Sequence, residues 1–106
     1  METLLKKVSI GKDYNYKTTY YEVVKYNNKK FLIYVEFSNG NCIGFNHKCC
    51  LSVMNENGSW DNVVDNNQLG FGSENDLGTY CKDNKVKDNL LKRKADEFKK
   101  YIKAIY

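Results

Sequence analysis

The residue types with the widest chemical reach in this 106-residue chain are its four cysteines and its one histidine: Cys42, His47, Cys49, Cys50 and Cys81. Thiolates and imidazole are the ligands of tetrahedral zinc, and a thiol beside an imidazole can act as an activated nucleophile. The spacing serves neither chemistry. There is no Cys-x-x-Cys knuckle, and the adjacent Cys49 and Cys50 would point to opposite faces of a strand. Nothing sets His47 within reach of a thiol, and on strand alternation it shares a side with Ile43 and Phe45 as a polar tip. The expectation is therefore a non-enzyme with no catalytic residue, no metal and no cofactor, its cysteines packing as small apolar groups.

The carboxylates Asp61, Asp65, Glu74 and Asp76 form no complete calcium-loop pattern. Gly70-Phe71-Gly72 lacks the lysine and the following helix of a phosphate loop. Their distribution is more informative. Between Cys49 and Cys81 there is no lysine or arginine, only Glu56, Asp61, Asp65, Glu74 and Asp76, with Trp60 and Phe71 among them. From Lys82 onward the balance reverses, so the net charge of +4 resides in the C-terminal segment.

Two kinds of surface follow from this asymmetry. The lysine-free segment, with Trp60, Asp61, Asp65, Phe71, Glu74 and Asp76, suits docking on a basic protein, carboxylates guiding encounter and an aromatic side chain anchoring. The alternative is nucleic-acid binding through Lys92, Arg93, Lys99 and Lys100, with Tyr21 and Tyr34 as a stacking platform. Against that stands the ordinary role of lysine on a solvated helix, with Asp88 to Lys92 and Asp96 to Lys100 at i,i+4 spacing.

These residues need elements to position them. Residues 18 to 37 alternate with the period of strands, in two runs, Thr19 to Tyr26 and Phe31 to Phe37, separated by Asn27-Asn28. Asparagine tolerates the positive φ of a tight hairpin turn; a turn at Asn27-Asn28 sets Val24 opposite Phe31, Glu22 opposite Ile33 and Tyr21 opposite Tyr34, whereas a turn at Asn28-Lys29 shifts the partners by two and leaves every side chain on the same face. One face then collects Val24, Phe31, Ile33, Val35 and Phe37 as core. Asn39-Gly40 and Asn57-Gly58 read as further turns, giving strands near Cys42 to His47, Leu51 to Asn55 and Trp60 to Val64. Asp65 to Thr79 reads as an irregular loop. Beyond it, Asp83 or Asn84 caps a helix to the C-terminus, whose stripe of Leu91, Ala95, Phe98, Ile102 and Ile105 must be buried against the sheet. The lead segment, Glu2 to Val8, admits a short N-terminal helix.

The expected architecture is a single α+β domain spanning residues 1–106, an antiparallel β-meander of four to five strands packed against one C-terminal amphipathic helix. No secretory signal or membrane-length apolar run is present, so a cytoplasmic setting with reduced thiols is expected. The absence of proline, the single arginine and the abundance of lysine and asparagine reflect AT-rich coding, as in low-GC bacteria, their phages and mobile elements. The functional expectation is a non-catalytic protein-binding module, encoded by a phage or mobile element, that inhibits a host nucleic-acid-handling or defence protein of the CRISPR type. An exposed aromatic sheet face would suit a homodimer.

Overall fold

The computed structural model describes residues 1–10, 18–40, 44–64 and 84–106. Five antiparallel strands, β1 (Glu2–Ser9), β2 (Thr18–Tyr26), β3 (Lys29–Gly40), β4 (Gly44–Met54) and β5 (Trp60–Val64), lie in the order of the chain. Among the described residues one helix, α1 (Asn84–Ile105), packs on β2 and β3. This is an α+β fold.

The first hairpin follows the register of the Asn27-Asn28 turn, with Val24 opposite Phe31, Glu22 opposite Ile33 and Tyr21 opposite Tyr34. Asn27 and Asn28 have φ of 49° and 63°, the left-handed pair that matches a hairpin's twist. In the β4–β5 connection Gly58 has φ of 81°. There Asn55 Oδ1 accepts from the backbone N–H groups of Asn57 and Ser59, so one side chain organises the loop.

Three expectations are corrected. The lead segment is strand β1 rather than a short helix, because a helix of that length leaves most of its backbone groups without internal partners. The outer edge of β2 offers it a full ladder instead. Asn39-Gly40 is not a turn: Asn39 pairs with Phe45 and Gly40 with Gly44, so the connection falls at 41–43, outside the described residues. Finally, residues 44 to 47 and 51 to 54, expected on two separate strands, belong to the continuous β4, since no turn residue interrupts 47 to 51; Cys42 and Ile43 lie outside the described residues.

The core joins Tyr20, Val24, Phe31, Ile33, Val35, Cys49, Leu51 and Val64 from the sheet to Leu91, Ala95, Phe98 and Ile102 from the helix. Complete burial of a side chain such as Leu91, Phe98 or Ile102 contributes roughly 1.5–3 kcal/mol. Ile105 continues the helical spacing but is 61% exposed. Tyr106 takes its place over the end of the core, its ring edge-on to Phe31 at 4.9 Å while its carbonyl accepts from Asn27 Nδ2. Among the described residues no helix is long and apolar enough to cross a membrane.

Candidate functional site

Strand parity sends Tyr20, Glu22 and Val24 to the helix side of β2, which places a carboxylate on an apolar face. Glu22 is 1% exposed there. Burying a lone carboxylate is costly unless donors surround it, and three elements supply them. Thr3 Oγ1 of β1 donates to Oε2 at 2.6 Å, the Tyr20 hydroxyl donates to Oε1, and Lys99 Nζ of α1 lies 2.9 Å from the same oxygen. Lys6 Nζ stands over the Tyr20 ring, 5.4 Å from its centroid.

Burial alone would raise the Glu22 carboxyl, but the bonds from Thr3, Tyr20 and Lys99, together with the Lys99 charge, outweigh it and hold the group below its usual range. Tyr20 is pushed the other way, by burial first and then by its bond to Glu22 and that group's charge. At neutral pH the pair is thus a carboxylate and a phenol. Both carboxylate oxygens accept from donors, so the cluster is a clamp tying β1 and α1 to β2. Sequence reasoning had paired Glu22 with Ile33 without drawing the consequence. The signal was its shared parity with Val24.

On the face opposite the helix, open among the described residues, Lys7, Tyr21, Tyr34 and Cys50 form one cross-strand row. Tyr21 and Tyr34 are half-buried. The Tyr34 hydroxyl donates to Glu36 at 3.1 Å, and burial, then that bond, raises its pKa. An open groove of about 350 Å³ runs between β1 and β2, lined by Leu5, Lys7, Val8, Ser9, Thr19 and Tyr21.

Of the acidic-segment candidates, Trp60 and Asp61 lie at the other edge of the sheet. On β5, Trp60 is half-buried opposite Met54, and Asp61 is exposed and accepts from Asn55 Nδ2 at 3.2 Å. Glu56, also exposed, stands in the same hairpin. Asp65, Phe71, Glu74 and Asp76 lie outside the described residues. Of the basic candidates, Lys92, Arg93 and Lys100 are exposed, whereas Lys99 is engaged with Glu22. Lys94, nominally on the solvated side, is buried with its ammonium 2.7 Å from Glu97.

Cys49 is buried in the core and Cys50 lies on the open face, so these two thiols cannot share one ion. Cys42 and Cys81 lie outside the described residues, and of His47 only the backbone position, opposite Phe37, is described. No group of three potential metal ligands occurs among the described residues. No family model, no curated protein and no solved structure matches the chain.

Proposed function

We propose that this protein is a non-catalytic binding module that occupies a basic surface on a partner protein through its acidic β5 edge. The observation that carries this reading is the β4–β5 hairpin, which sets exposed Glu56 and Asp61 beside half-buried Trp60 on an edge strand. The hairpin begins a stretch in which residues 51 to 80 contain no lysine, arginine or histidine. Carboxylates accelerate and orient encounter with a basic partner, and a tryptophan is the residue type most suited to anchoring it. The Glu22 clamp supports the same reading, because Glu22 and Tyr20, both shifted from their usual ranges, bind one another and Lys99.

A basic surface of that kind is what nucleic-acid-handling proteins present to phosphates. With the AT-rich coding, it favours an inhibitor carried by a phage or mobile element and aimed at a host defence effector of the CRISPR type. The test is affinity capture from a nuclease-treated low-GC bacterial lysate, comparing the wild type with a variant in which Asp61, Asp65, Glu74 and Asp76 are all changed to Lys. A stoichiometric protein held by the wild type and lost with the variant is the expected result. Equal capture by both, or a catch that depends on nucleic acid, overturns the proposal.

A further inference from the structure

The far edge of the sheet points to a second copy of this chain. Strand β1 is exposed along its whole length, and its outer side has no neighbouring strand among the described residues. Among those residues the exposed large apolar side chains are Met1, Leu4, Leu5 and Val8, each 42–43% exposed, and Ile105. Four of the five therefore lie on or next to one unpaired edge.

The register with β2 slips between Thr3 and Leu5, leaving Leu4 as the extra residue on β1. The slip changes which residues share a face: Glu2, Leu5, Lys7 and Ser9 lie on the open side, and Thr3, Lys6 and Val8 on the helix side. Two copies joined edge to edge by a two-fold axis normal to the sheet must pair residues from the same face. In an unbroken strand such an axis allows only registers in which the paired numbers sum to an even value. Registers centred on Lys6 or Lys7 would set a lysine against itself, which is destabilising. The slip also opens odd-sum registers, the longest without a face mismatch being the one with Glu2 opposite Lys7 and Thr3 opposite Lys6. It also brings Leu4 opposite Leu5 and Met1 opposite Val8. Lysines and bulges on an edge strand ordinarily discourage indiscriminate pairing. Here the lysines disfavour the registers centred on them, and this one is complementary in charge and in apolar side chains.

We propose that β1 pairs antiparallel with β1 of a second copy in this register, doubling the sheet, with both helices on one side and the two acidic β5 edges at opposite ends. The inference is independent of the partner-binding proposal, because it concerns the opposite edge.

Sedimentation equilibrium over a dilution series, with circular dichroism to confirm folding, tests it. The wild type is expected to reach twice the mass of the chain. Glu2→Lys alone and Lys7→Glu alone each set like charges together twice across the axis, weakening the dimer by about tenfold. The double variant restores it. Since Glu2→Lys also places a lysine beside Lys25 within the same chain, and the double variant keeps that contact, recovery reports the contact between copies. A chain that is monomeric at every concentration overturns the proposal. So does a dimer indifferent to the single changes, or one the double variant fails to restore.

Discussion

Replacing Glu22 with glutamine removes a charge and little volume. In the wild type its oxygens take hydrogen bonds from Thr3, Tyr20 and Lys99, at a site 1% exposed. Glutamine keeps one acceptor oxygen and turns an NH2 group toward the remaining donors. The Thr3 hydroxyl can rotate to accept from it, but the Lys99 ammonium loses its counter-charge. Because Lys99 is 29% exposed and can turn to solvent, the cost falls below that of stranding a fully buried charge. It should be about 1–3 kcal/mol at neutral pH, the worth of a hydrogen bond to a charged group. The folded-state pKa of Glu22 lies below its ordinary value of 4.5, so its stabilisation is fully present above that value and is lost as pH falls through the folded pKa. Urea unfolding of wild type and Glu22→Gln at neutral pH, then at steps into the acid range, should show a gap that closes as the wild-type carboxylate protonates. Equal stability at neutral pH, or a gap that persists undiminished in acid, would refute the reasoning.

Tyr20→Phe removes one donor to Glu22 and should cost about 1–2 kcal/mol. Since the folded Tyr20 pKa is raised above its ordinary 10.0, the wild type should lose stability as pH climbs through that value, and the variant should lose less, as measured by unfolding in alkaline buffers. Phe98→Ala opens a cavity between helix and sheet and should cost about 3–5 kcal/mol in equilibrium unfolding. Asn27→Val forces a β-branched residue into positive φ and should cost about 1–2 kcal/mol, whereas Asn28→Gly should be near neutral in the same assay.

Much of this fold was legible because the deciding signals were local. The alternation from Thr18 to Phe37 determines which side chains of the first hairpin face the core, while its register between turns at 27–28 and 28–29 emerges only from the folded pairing; the spacing of Leu91, Ala95, Phe98 and Ile102 determines the buried stripe of the helix. Strand β1 was not legible, because Leu4, Leu5 and Val8 suit either period and the hydrogen bonds that decide the matter come from β2, distant in sequence. The same holds for the clamp. Glu22 could be placed on the apolar face by parity, but its donors sit on β1 and on α1, and only the packed layers bring Thr3 and Lys99 to it. Trp60 and Asp61 could be read on a strand following the turn at Asn57-Gly58, while its place at the edge of the sheet and the Asn55 bonds that shape that hairpin emerge only from the folded geometry.

The central claim is that the acidic β5 edge recognises a protein surface otherwise used for nucleic acid. The most direct measurement is competition for the captured partner, titrating this protein against a labelled single-stranded oligonucleotide already bound to it. Displacement of the oligonucleotide by the wild type, weakened about tenfold or more when Asp61, Asp65, Glu74 and Asp76 are reversed, is the predicted result. A ternary complex in which both remain bound, or displacement unaffected by the reversal, would contradict it.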